Sequence, residues 1–415
     1  MKKMRYVISA LCISILLISI LVYAGRISER TKGDRNENTG GSESSESYVQ
    51  EEPDEYEPEL ITISSEEEKR IREHILEAVE PCWNIYEQAD KGNADNVVLP
   101  DQIMEKLACR LADNGYTVSC GGNICNMQNE ELLDVVLKNA SAGEEAEAEF
   151  FHITKSGVFE WRRLEFKKGE MVMTCAGAGW SRGEEPQKLR ISYMEKQKVY
   201  DWQYTEKGWL IIEASKSKNH EMDMHSMFRV LPLPQECREY CSRYIVPVSY
   251  MGNNLFLTDW DEASIDKVVF NDVFEFLYTM ETGKKYEEQE YPDGVPKELY
   301  ESVITSYFPI SASKLEQFPG YSEEKQTYSW EAMGCGTVIP QPQPFPEVVK
   351  VTEQEDGTVI LTVDAGLLQA GTDRAFTHEV RIKSDDEGNM QYIGNHVLES
   401  EENKMPGYMP RMSYQ

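Results

Sequence analysis

Hydrophobic side chains recur with a different period in each successive stretch of this chain. Tyr6 to Gly25 is uncharged and almost continuously apolar. Residues 29–64 show no apolar period, and Gly40-Gly41-Ser42-Glu43-Ser44-Ser45-Glu46 is typical of them. Helical spacing then begins. Ile71, Ile75, Leu76 and Val79 mark one face of a helix from Glu66 toward Ala89, with Ser64 or Ser65 as its cap and Pro81 kinking or splitting it. Pro100-Asp101 opens a second helix with Ile103, Leu107, Leu111 and Ala112 inward. Asn129 caps a third, which turns Leu132, Leu133, Val136 and Leu137 to one side.

After Gly143 the period becomes two. Residues 149–154, 158–166, 171–176, 189–195, 199–204 and 209–214 read as strands joined by hairpin turns at Lys155-Ser156-Gly157, Lys168-Gly169 and Lys207-Gly208. Helices followed by an antiparallel meander predict an α+β domain whose sheet has one face covered by helices. Cone-like folds of the nuclear-transport-factor-2-like or cystatin-like kind share this order, which is an architectural comparison only.

The order then repeats. Helices are expected at 235–244, 270–280, 296–307 and 311–318, the last capped by Ser311. A polyproline-type link at 340–346 leads to strands at 348–352, 358–363, 376–382 and 390–397. The division is therefore an N-terminal transmembrane helix or signal at 1–28, a disordered acidic stalk at 29–64, a first α+β domain at 65–217, a linker at 218–234 and a second α+β domain at 235–415.

Charge narrows the partners. The 415 residues carry a formal charge of −31, which disfavours nucleic acid and polybasic attachment to anionic lipid. The stretch from Glu29 to Glu68 alone holds a net −11 and reads as a self-repelling spacer. The apolar run at 6–25 would rise about 30 Å as a helix, enough for a bilayer core. A short basic tail precedes it and an acidic, cysteine-bearing chain follows. The expectation is a single-pass cell-membrane protein with its C-terminal domains extracytoplasmic, or a secreted one if the segment is cleaved after Val22-Tyr23-Ala24. Cys12 lies in mid-run, where lipid attachment does not occur.

Eight cysteines lie beyond the apolar run, and an even count in an exported chain implies disulfides. Cys120 and Cys125 flank Gly121-Gly122-Asn123, a hairpin spacing, and are the first candidate pair. Cys82 and Cys109, on successive helices, are the second. Cys237 and Cys241 sit one helical turn apart, a poor geometry for a bridge. Zinc is disfavoured because the two close cysteine pairs are far apart in sequence. His220 and His225 are five apart rather than the four that would aim both at one metal. Gly179-Trp180-Ser181-Arg182-Gly183 has the letters of a hydrolase elbow, but alternating residues rather than a helix follow it, so it reads as a hairpin loop. Asp259-Trp260-Asp261-Glu262 lacks the glycine and closing glutamate of a calcium loop and reads as a helix cap. These patterns assign no catalytic residue, cofactor or metal.

Several segments resemble a known family. They are Pro247–Tyr250, Asn253–Trp260, Phe270–Tyr278 and the closing Pro410-Arg411-Met412-Ser413-Tyr414. Together they are similar to an uncharacterised family of exported, membrane-anchored or lipoprotein-like proteins of Gram-positive gut anaerobes, classed as a domain of unknown function. The resemblance implies an extracytoplasmic location and assigns no site. The expected function is binding, to a protein or cell-envelope component. The alternative is an exported hydrolase with its site in the concavity of the first sheet, lined by Trp161, Trp180 and Trp202.

Overall fold

The computed structural model describes residues 59–92, 97–121, 125–181, 187–215, 225–287, 291–333 and 343–412. The expected membrane segment, most of the stalk, His220 and residues 340–342 of the polyproline link lie outside them. No helix among the described residues is long and apolar enough to cross a membrane.

The first half starts as its periodicity predicts. Helix α1 (Ser65–Val79) is capped by Ser64, whose Oγ accepts the Glu67 N–H at 3.2 Å. Pro81 splits the helix, one of the two outcomes expected of it. It starts a 3-10 turn, Glu80–Cys82, before a separate α2 (Trp83–Gln88), where its missing N–H is no loss. Helix α3 spans Asp101–Ala112 and α4 spans Glu131–Ser141. Asn129 does not cap α4; Glu130 holds that place. Asn129 instead takes a left-handed φ of 53° and donates its side-chain amide to Ala112 O and Tyr116 O, tying the end of α3 to the start of α4.

Strands β3 (Ala146–Ile153), β4 (Phe159–Lys167), β5 (Glu170–Trp180) and β6 (Leu189–Lys198) form the expected meander. Two edge strands were not legible in the sequence. β1 (Glu59–Leu60), at the end of the stretch read as stalk, pairs antiparallel with β6, and β2 (Val118–Cys120) pairs parallel with β3.

The meander also divides. β7 (Asp201–Tyr204) and β8 (Trp209–Glu213) leave the main sheet and join β9 (His225–Arg229) in a second, three-stranded sheet. β9 lies in the stretch read as linker. Consequently both faces of the main sheet are covered, not one. On one face Ile75, Val79, Leu107 and Leu111 of the helices meet Phe151, Phe159 and Trp161. On the other, Leu133 and Leu137 of α4 and Leu210, Ile212 and Phe228 of the small sheet meet Phe150, Leu164 and Phe166. Adjacent residues of each strand alternate between the two cores, as a pleated strand requires. β5, buried almost continuously from Met171 to Trp180, shows the pattern of a strand covered on both sides.

The second half is one antiparallel sheet, β14 (Phe345–Glu353), β15 (Thr358–Leu367), β16 (Thr372–Ser384), β17 (Met390–Val397) and the short β10 (Trp260–Asp261) at its far edge. Helices α5 (Gln235–Tyr240), α6 (Phe270–Thr282), α7 (Lys297–Tyr307) and α8 (Ala312–Leu315) share its core. The short strands β11 (Val295–Pro296), β12 (Tyr321–Ser322) and β13 (Thr327–Tyr328) make a small sheet beside α7. Ser311 caps α8 through its contact with the Lys314 N–H. Asp261 caps a 3-10 turn and forms a reciprocal capping box with Ser264, which accounts for that acidic cluster. Both halves belong to one compact unit, Asp54–Gln415.

Candidate functional site: the seam between the two halves

Charged and aromatic groups join the halves where β8 and β9 meet β14 and β15. Lys207, in the β7–β8 turn, pairs with Asp364, which also accepts from Thr377 Oγ1 at 2.6 Å. Trp209 packs its ring against Phe345 at 5.3 Å and donates Nε1–H to Glu347 Oε2 at 3.2 Å. Arg229 Nε lies 3.5 Å from the other oxygen of Glu347, an ion pair, and its guanidinium also donates to Lys207 O. Nearby, Asn126 clamps the chain at Leu233. It donates to Leu233 O at 2.8 Å, and its oxygen accepts from Leu233 N at 3.1 Å and from Arg238 Nε at 2.9 Å.

These contacts enclose a cavity of about 210 Å³. Phe228, Leu233 and Phe345 give its apolar wall. Arg229, Arg238 and Glu347 are its charged lining groups among the described residues. Burial holds the Arg238 guanidinium below its usual value and raises the Glu347 carboxyl, which Arg229 and Arg238 draw back down. The positive excess is local, in a chain whose net charge is −31.

Four cysteines, 120, 125, 237 and 241, face this same cavity. Cys237 and Cys241 lie one turn apart, within α5 and at the start of the π-helical turn Cys241–Ile245, so both point one way. Cys241 donates to Pro346 O at 3.6 Å, and burial pushes its thiol up to about 11. Cys125 hydrogen-bonds to the Cys120 thiol, and that contact together with burial holds it protonated at neutral pH. Ser119 Oγ lies 2.8 Å from His152 Nδ1 on the adjoining wall, and burial lowers His152 to about 4.

The structure brings Cys120 and Cys125 into contact on one cavity wall, and no disulfide is formed among the seven described cysteines. It does not bring Cys82 and Cys109 together. Cys82 is fully buried with its thiol toward Leu107 O, and Cys109 is exposed to solvent. Among the described residues no group of three or more His, Cys, Asp or Glu side chains is arranged to hold a metal ion.

The three tryptophans line no common concavity. Trp161 and Trp180 are in the helix-side core, where Trp180 stacks on Tyr86 at 4.6 Å. Trp202 packs on Phe166 on the other side of the sheet. Ser181 continues the β5–β6 hairpin, its N–H bonded to Lys188 O and its Oγ accepting from Lys188 N, and β6 rather than a helix follows.

What sequence reasoning missed is the convergence itself. Asn126, Arg229, Arg238 and Glu347 carry no local motif, and the two close-spaced cysteine pairs were the one visible trace of the site.

Residues 68–411 match a family model described as a family of unknown function (DUF6070), and the chain belongs to that family. No curated protein and no solved structure matches it.

Proposed function

We propose that this is an extracytoplasmic protein, held at the membrane by residues 6–25, that works by binding, and that its ligand site is the seam cavity. The proposed ligand is an acidic group presented by a protein or another envelope component. The observation that carries this reading is the placement of Arg229 and Arg238 against the single carboxylate of Glu347 in a partly apolar cavity. A recess with an apolar wall and a few convergent charged and polar groups is where ligands bind. In a low-dielectric recess a guanidinium attracts an anion far more strongly than on the surface.

Titrating the full chain with succinate and with inorganic phosphate, followed by thermal unfolding, tests the site. A saturable rise in unfolding temperature that Arg238→Gln diminishes is expected. No rise with either anion would overturn the site assignment. Labelling intact cells with a membrane-impermeant amine reagent tests the location, which fails if the protein is labelled only after lysis.

A second reading, an exported hydrolase, is favoured by one observation, the Ser119–His152 contact on the cavity wall. It ranks below binding because a histidine held near 4 is a weak base at neutral pH. Turnover of small fluorogenic esters that disappears in Ser119→Ala would reverse the order.

A further inference from the structure

We propose that Cys120 and Cys125 form a disulfide site on the wall of the seam cavity, oxidised by exchange with a small disulfide outside the cytoplasm. This deepens the binding reading, since the bridge would fix one wall of the proposed ligand site. Only the source of the oxidant rests on the extracytoplasmic location.

The backbone brings the two residues close on one wall of the cavity, one position out of register. Val118 and Gln128 form an antiparallel bridge, with Val118 N to Gln128 O at 3.0 Å and Gln128 N to Val118 O at 2.8 Å. Cys120 ends β2 opposite Ile153, and the next amide, Gly121 N, bonds Ile153 O at 2.9 Å, so this side is anchored to the main sheet. Cys125 precedes Asn126, which is anchored to Leu233 in the other half. The anchored end of β2 and the anchored segment before Asn126 thus hold a pair of thiols already in hydrogen-bond contact. Such a pair needs little backbone movement to reach bonding distance.

The exchange balances without another participant. The thiolate of half-buried Cys120 attacks one sulfur of the small disulfide, releasing one small thiol and leaving a mixed disulfide. The Cys125 sulfur then attacks the Cys120 sulfur and releases the second small thiol. Two S–H bonds and one external S–S bond are lost, and one internal S–S bond and two small thiols are formed. The two cysteine protons leave on those thiols. The second step is intramolecular between sulfurs already in contact, which favours closing the bridge over holding the mixed disulfide. Cys237 and Cys241, a helical turn apart in the same cavity lining, have no such geometry and stay thiols.

The test equilibrates the full chain with oxidised glutathione, blocks free thiols with N-ethylmaleimide under denaturing conditions, and reads each cysteine by peptide mass spectrometry. Cys120 and Cys125 are expected unmodified in one peptide two hydrogens lighter, with Cys237 and Cys241 alkylated. The unfolding temperature should rise by about 3 °C on oxidation, as closing a short loop implies. Cys125→Ser should leave Cys120 open to alkylation or carrying glutathione. Cys120 and Cys125 both alkylated after oxidation, or either bridged to another cysteine, would overturn the site. Protein trapped with the same reagent during cell lysis separates the two claims. A bridge that forms in vitro but is absent from cells defeats the location, not the site. Thiols that stay free on a chain labelled at the cell surface defeat the site, not the location.

Discussion

Arg411 grips Asp272 across 139 positions of sequence: its backbone N–H donates to Asp272 Oδ2 and its guanidinium to Asp272 O. The same guanidinium pairs with Glu275 and reaches Glu331 O at 3.0 Å, and Tyr408 Oη donates to Asp272 Oδ2 at 2.7 Å. With only 1% of its side chain exposed, Arg411 is a buried staple that holds the irregular C-terminal strap to α6. Two of the segments that carry the family resemblance, Phe270–Tyr278 and the one closing the chain, are thus the two sides of one contact. The contact between them is one of packing.

Removing one side of that contact should be costly. Arg411→Ala leaves Asp272 and Glu275 buried without their cation, and a loss of about 3–5 kcal/mol is expected. Arg411→Lys keeps the charge but loses the planar fork, and should recover only part of it. Urea unfolding of the full chain checks both, and equal stability of Arg411→Ala and the parent would show that the strap is not held by this group.

Acidification should destabilise the protein through His378. Its Nδ1–H donates to Asn395 Oδ1 at 2.7 Å, and Nε2 accepts from Tyr250 Oη at 2.9 Å, which together satisfy the neutral ring. Phe256 and Phe376 flank it, and Asp364 is the nearby charge. Burial lowers it to about 4, so the unfolded chain binds the proton first. The stabilisation is complete above about 6.5 and drains as pH falls from there toward 4, amounting to about 2 kcal/mol by pH 5. Buried Asp272, Glu275 and Glu347 have raised values and act with the opposite sign, losing stability as pH rises. The informative quantity is therefore a difference. His378→Gln should shrink the drop in unfolding free energy between pH 7 and pH 5 by about 2 kcal/mol, and an unchanged drop would refute the assignment.

The two seam ion pairs should differ in weight. Glu347 and Arg229 expose only 8% and 11% of their side chains, so Glu347→Ala strands a buried cation and a Trp209 donor and should cost about 3 kcal/mol. Lys207 is 32% exposed, and Lys207→Ala should cost under about 1 kcal/mol because water replaces part of what is lost. Denaturant midpoints at matched slopes decide between them; a larger effect at Lys207 would place the seam's strength in its rim.

Gly366 is required by a ring. A Cβ there would stand 2.2 Å from Phe345 Cζ, and Phe345 pairs across β14–β15 with Gly366 while packing on Trp209. Gly366→Ala should push Phe345 toward the cavity and cost about 1–3 kcal/mol. A change in Trp209 fluorescence should accompany the loss, and stability lost without it would place the strain elsewhere.

Most helices and strands were legible because each buries a face of its own. Ile71, Ile75 and Val79 repeat at helical spacing whatever they pack against, and Met390–Val397 alternates beside a turn at Gly388. Capping at Ser64 and Ser311 was equally local. β2 escaped notice because three residues, Val118–Cys120, are too few to show a period, and a parallel partner leaves no hairpin turn. The departure of β7–β9 from the meander was hidden for a related reason. Alternation records that a strand has two faces, not which sheet it joins.

By itself the sequence determined the α+β class, the order of helices before strands in each half, the acidic character and the close approach of Cys120 to Cys125. Those follow from short-range spacing and from composition. Only the tertiary structure decided that Cys237 and Cys241 line one cavity with Cys120 and Cys125, and that Arg229, Arg238 and Glu347 line it too. Such groups stand up to more than two hundred positions apart along the chain. Their meeting depends on how two separately patterned sheets dock, a long-range packing outcome that no local period encodes.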